Sequence, residues 1–119
     1  MKLGVICDGI SRDLGHALKV MDEFGLDYAE LQFVWDKEVG DHDASEIAQI
    51  KDLLDTYNKP VSCLSRHIFA GLTTASKAGD DDHTRHMDYL KRVIEMAHQL
   101  DCSLVRIMTS KKEQILWGR

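Results

Sequence analysis

Along this chain the hydrophobic period switches repeatedly, from the two-residue alternation of a strand to the three- and four-residue spacing of a helix and back. That rhythm constrains the fold more than any single motif. The apolar run LGVIC (residues 3–7) closes on Asp8-Gly9, a strand followed by a turn. Leu14, Ala17, Leu18, Met21 and Phe24 then share one helical face, with Gly25 as a left-handed cap and Leu26 placed to pack back. In YAELQFV (28–34), Ala29, Leu31 and Phe33 alternate with Tyr28, Glu30 and Gln32, which predicts a second strand. Asp43 and Glu46 have the spacing of a capping box, and Ile47, Ile50, Leu54 and Tyr57 form the stripe of a second helix that Asn58 and Pro60 stop. VSCLS (61–65) predicts a third strand, and RHIFAGLTTASKAGDDD a long loop. A third helix would bury Met87, Leu90, Val93, Ile94 and Ala97 and end near Leu100. LVRIM (104–108) predicts a fourth strand, and TSKKEQILWGR a loop that could begin another helix.

Four strands alternating with three helices predict a single α/β domain over residues 1–119, its strands parallel and joined by right-handed crossovers. A content of 44% hydrophobic and 29% charged residues suits one packed domain. The formal charge is -5 and the basic residues are scattered, so a nucleic-acid partner is not expected. No membrane span is expected either, since no run approaches the roughly 18 apolar residues one needs. The opening MKLGVICDGI reads as a first strand, not a signal peptide. Cys7, Cys63 and Cys102 are odd in number, far apart, and in or beside predicted strands. They fit buried, reduced thiols of a cytoplasmic protein better than a disulfide scaffold.

Two architectures use βα units of this kind. An open, doubly wound sheet has helices on both faces, so its strands are apolar on both sides. In a (β/α)8 barrel one face meets the helices and the other lines the lumen, where polar groups are tolerated. Glu30 and Gln32 fall on one face of the second strand, and Arg106 falls opposite Val105 and Ile107 in the fourth. That pattern fits a lumen, and Glu30 and Arg106, each third in its strand, are expected to approach each other there, as a buried ion pair or as ligand-binding groups. A doubly wound nucleotide binder is the other architecture, but CDGISRDLGH after the first strand has neither GxGxxG nor a Walker lysine.

MKLGVICDGI, GLDYAELQF, KPVSCLSRHIF and HMDYLKRVIEMAHQLDCSLVRIM together resemble the N-terminal half of sugar phosphate isomerases/epimerases of the xylose isomerase-like barrel superfamily. The resemblance implies a partial (β/α)8 barrel, with four parallel strands and three helices. A whole barrel takes about 250 residues, so a half-barrel is expected, inactive by itself. It also implies a sugar or sugar phosphate as partner and, in the complete barrel, aldose-ketose isomerisation or ketose epimerisation through an enediolate. There a divalent metal (Mn, Mg or Zn) polarises the carbonyl while carboxylates move the proton. The family's metal ligands come chiefly from the second half, so none is assigned in this chain.

The first half is expected to supply a wall of the substrate pocket. His67, just beyond the third predicted strand, matches a position where family members often carry a substrate-facing histidine; otherwise it is a loop histidine bonded to backbone. Glu30 and Arg106 would orient hydroxyl or phosphate oxygens. Asp8 is a further candidate, although Asp-Gly after a strand is also ordinary turn chemistry. GDHD (40–43) and GDDDHTRH (79–86) mix acids with imidazoles, but both begin helices, where capping and the helix dipole account for the acids without a metal. The related endonuclease IV type of abasic-site nuclease would need a histidine after the fourth strand, where MTSKK stands. A non-catalytic alternative is a homodimer that pairs the open edges of the first and fourth strands into one barrel.

Overall fold

The computed structural model describes residues 1–109; the helix that could begin in the final segment falls at 110–119, outside the described residues. The elements are β1 (Gly4–Ile6), a 3-10 turn at Cys7–Gly9, α1 (Leu14–Glu23), β2 (Tyr28–Leu31), β3 (Phe33–Val34), β4 (Lys37–Glu38), α2 (Ala44–Thr56), β5 (Val61–Ile68), α3 (Asp81–Gln99) and β6 (Val105–Ile107). β1, β2, β5 and β6 form a four-stranded parallel sheet in that spatial order, and β3 and β4 pair as a separate antiparallel hairpin. The chain is therefore α/β, with a parallel sheet and three helices. Because the sheet order is also the chain order, crossovers of one hand place all three helices on the same face.

Local chemistry fixes the helices where the periodicity put them. Asp43 and Glu46 make the reciprocal capping box of α2. Gly25, at φ 66°, ends α1 and lets Leu26 donate its N–H back to the Met21 carbonyl at 2.9 Å. α3 packs on Val93, Met96, Ala97 and Leu100 rather than on Ile94, which is 41% exposed; Met87 and Leu90 are only partly covered. The buried stripe is thus rotated from the one expected, with i, i+3, i+4, i+7 spacing counted from Val93.

Two strand boundaries differ from the sequence expectation. The run 28–34 is not one strand. β2 stops at Leu31, and Phe33–Val34 turn away to pair with Lys37–Glu38, inside what reads as a polar loop. The backbone bonds explain the departure: Phe33 N–H donates to Asp8, Trp35 N–H to the Arg12 carbonyl, and Val39 N–H to the Gln32 carbonyl. Gly40, at φ 95°, carries the chain from this hairpin past α3, where a Cβ would come 2.7 Å from Val93 Cγ2. The third strand, expected to end at residue 65, runs on to Ile68. Pairing with β6 extends it, through Leu64 with Val105, Ile68 with Ile107, and Met108 N–H on the Ile68 carbonyl.

Strand parity then separates two faces. Ala29, Leu31, Leu64 and Ile68 are fully buried among the helices, with Leu14, Leu18, Met21, Ile50 and Met96 in the same core. Glu30, Cys63, Ser65, His67 and Arg106 occupy the alternate positions. At roughly 25 cal/mol per Å2 of apolar surface buried, the first set holds the fold.

Candidate functional site

The alternate positions assemble into a polar surface towards the C-terminal ends of the parallel strands. Glu30 pairs in register with Cys63, so its side chain leaves the sheet on the same face as Ser65, two residues on. Ser65, although fully buried, is satisfied: its hydroxyl donates to Glu30 Oε1 and its carbonyl accepts from Arg106 Nη2 at 3.0 Å. Glu30 and Arg106 thus converge on one serine. They form no ion pair with each other, and among the described residues neither bonds to a helix. Arg106 Nε is buried with no acceptor among the described residues, a donor for which a buried site normally supplies a partner.

His67 lies within β5 rather than in a loop, which revises the sequence expectation. It is two residues beyond Ser65 on the same face, roughly 7 Å further along the strand. Its ring Nδ1 lies 2.9 Å from Glu38 Oε1, and the same oxygen accepts the His67 backbone N–H at 3.0 Å. Gln32, directly after β2, places its amide nitrogen 3.0 Å from ring Nε2 and 3.2 Å from Nδ1. The side chain remains 46% exposed. Asp8, in the turn after β1, accepts the Phe33 N–H at 3.4 Å and so ties β1 to the hairpin. Phe33 in turn stacks under the Arg12 guanidinium, 4.6 Å from the ring centre, and its ring centre lies 6.5 Å from that of His67.

Sequence reasoning missed three residues behind this surface. Arg66 is the helix-facing neighbour of Ser65 and His67; its side chain is 6% exposed and bonded to Asp41 (2.8 Å) and the Val39 carbonyl (3.0 Å). Glu38 lies 3.7 Å from it, and the Tyr89 ring centre 4.0 Å. Extending the 61–65 alternation to residue 68 would have put Arg66 on the apolar face; nothing local to Glu38 or Asp41 marks them as its partners.

The two acid-imidazole clusters do different work. Asp43 caps α2, as expected. Asp80, the N-cap of α3, makes no capping bond; its carboxylate accepts the Lys77 N–H instead, which corrects the expectation for the second cluster. His42 is buried, with Nε2 donating to the Val34 carbonyl at 3.0 Å. His86 Nδ1 accepts the N–H of Phe69, which sits at φ 64°, and His83 stacks on the Phe69 ring. Burial, with Arg85 as a lesser cause, holds the His86 pKa below the ordinary histidine value. Among the described residues, no group of three or more His, Cys, Asp or Glu is placed to hold a metal. Glu30 is engaged by Ser65, and Glu38 by His67 and Arg66, so these donors do not fit the metal that the resemblance implies for a whole barrel.

Comparison with models of known protein families gives no match, and comparison with curated proteins finds none significantly similar.

Proposed function

We propose that the chain forms the first half of a sugar phosphate isomerase/epimerase-like (β/α)8 barrel and supplies one wall of its ligand pocket. One observation carries this reading: the sequentially ordered parallel sheet is apolar on its helix face apart from the fully partnered Arg66, and the other face brings Glu30, Ser65, His67 and Arg106 together. A doubly wound sheet would need apolar side chains on both faces; a barrel needs them on one. In the barrel this surface faces the lumen. Glu30, held by the buried Ser65 hydroxyl, accepts from sugar hydroxyls, Arg106 pairs with hydroxyl or phosphate oxygens, and His67 contacts the same ligand at the strand ends. Asp8 holds the hairpin beside them. Proton transfer and carbonyl polarisation belong to the half that completes the barrel. Three free, separated cysteines support a reducing compartment such as the cytoplasm.

The test is an NMR titration of the protein with D-fructose and D-fructose 6-phosphate. Saturable shifts confined to the amides around Glu30, Ser65, His67 and Arg106, stronger for the phosphate, are expected. Shifts scattered over the surface, or none at millimolar sugar, would reject the pocket.

A second reading, assembly through strand edges, has its own observation. Leu104, Ile107 and Met108 on and beside β6 are 61%, 55% and 38% exposed, and Leu3 beside β1 is 48% exposed. Two copies pairing β1 with β6 in both directions would close an eight-stranded barrel about a two-fold axis. Light scattering over a range of concentrations separates the cases, since a mass of twice 13.5 kDa is expected only for the assembled pair.

A further inference from the structure

Glu38 stands at the junction of the two faces. Its Oε1 takes both bonds from His67, ring and backbone, while its Oε2 lies 3.7 Å from Arg66 Nε. Arg66 is fixed in turn by Asp41, by the Val39 carbonyl and by the Tyr89 ring. An arginine in a protein stays charged, and an ionised carboxylate only accepts hydrogen bonds. The ring nitrogen that faces Glu38 must therefore carry the proton. In the neutral imidazole this leaves Nε2 as the acceptor; the Gln32 amide nitrogen, 3.0 Å from Nε2 and 3.2 Å from Nδ1, sits beside the ring between the two nitrogens.

The arrangement is more than packing requires. A half-exposed histidine at a strand end has solvent for both nitrogens and is free to exchange tautomers. Here one carboxylate, braced by a buried cation, holds its ring and its backbone together. The bracing hairpin comes from a segment 29 residues away in sequence.

We infer that Glu38 is a positioning residue, which holds neutral His67 as the Nδ1–H tautomer and leaves Nε2 to accept a hydrogen bond from a ligand hydroxyl. The ligand half of this inference rests on the sugar-pocket reading above; the tautomer half does not. Arg66 acts one step further back, holding Glu38 aimed at the ring.

Long-range 1H–15N NMR of the unliganded protein, at a pH where the ring is neutral, reads the tautomer directly. In the wild-type protein Nδ1 is expected to show the shift of a protonated nitrogen and Nε2 that of an unprotonated one. Glu38→Ala should bring the two nitrogens to averaged shifts, and Glu38→Gln, whose amide oxygen still accepts, should preserve part of the difference. A wild-type ring protonated at Nε2, or the same tautomer retained in Glu38→Ala, would overturn the inference; the wild-type reading needs no variant to fold. Adding D-fructose should move His67 Nε2 together with the Gln32 side-chain amide. Sugar-dependent shifts that spare Nε2 would overturn the ligand half alone. No response anywhere would overturn both the sugar pocket and the ligand assigned to Nε2, and an Nδ1–H ring that loses its preference in Glu38→Ala would still support the positioning role.

Discussion

Arg66 and Arg106 lie on neighbouring strands of one sheet and could hardly be treated more differently. Arg66 points to the helix face, where two carboxylates, a carbonyl and a tyrosine ring surround it. Arg106 points to the other face, with the Ser65 carbonyl as its hydrogen-bond partner and a buried Nε left over. A charge kept in a core must have its partners built in, because removing it from water costs several kcal/mol. A charge at a binding surface can leave a donor free for a ligand. The same residue type is thus fully partnered on one face and left with a spare donor on the other.

The most severe way to test that contrast is to truncate both arginines. Arg66→Ala removes the buried cation that Glu38 and Asp41 share, while Asp41 keeps Arg92 at 3.2 Å, and should lower the free energy of unfolding in urea by about 2–3 kcal/mol. Arg106→Ala should cost no more than about 1 kcal/mol, yet abolish the sugar-phosphate response. Equal losses of stability would erase the distinction between the faces. Leu64→Ala, which empties a fully buried position between sheet and helices, should cost about 3 kcal/mol. Its neighbour Ser65→Ala removes one hydrogen bond to Glu30 and should cost about 1 kcal/mol.

The cysteines sharpen the comparison by pH. Burial, reinforced by Asp8 and then Glu30, raises the Cys7 thiol from 9.0 to about 12. The folded state therefore keeps a proton that the unfolded chain gives up. Its contribution to stability is complete below pH 9 and is lost as pH rises from there towards 12. Unfolding midpoints should fall over that range, and less so in Cys7→Ala. With iodoacetamide at neutral pH, Cys63 on the polar face should react before Cys7 and before Cys102, which burial also raises. Cys7 reacting first would contradict its placement against Met21.

The smallest effect concerns the loop after β5. The His86 pKa is lowered, so protonating the ring opposes folding: its contribution is present above the ordinary value of 6.5 and is lost as pH falls below it. The hydrogen-exchange protection factor of the Phe69 amide, whose N–H His86 accepts, should fall on acidification before those of the β5 amides respond. A uniform fall across both would mean that His86 does not hold the loop by itself.

Much of the fold was legible because its signals are local. The Asp43–Glu46 box, the Gly25 cap and the alternation of Glu30 with Ala29 and Leu31 each lie within a few residues and formed as expected, and the helical stripes did so except at Phe24 and Ile94, which are exposed. Errors came where distant groups compete for backbone bonds. β6 extended β5 to Ile68 and moved His67 from loop to strand, while Asp8 and Arg12 drew Phe33 and Trp35 out of β2 into a hairpin.

The amino-acid sequence by itself determined the α/β alternation and the division of strands into an apolar and a polar face, since side-chain period and burial preference are properties of each segment. Only the tertiary structure decided that Glu30 and Arg106 would share Ser65, and that Glu38 would join Arg66 to His67. Those contacts span from 28 to 41 residues of chain. Their geometry exists only after the hairpin and the parallel strands have been brought together, and no local pattern of charge or hydrophobicity specifies which of several carboxylates arrives.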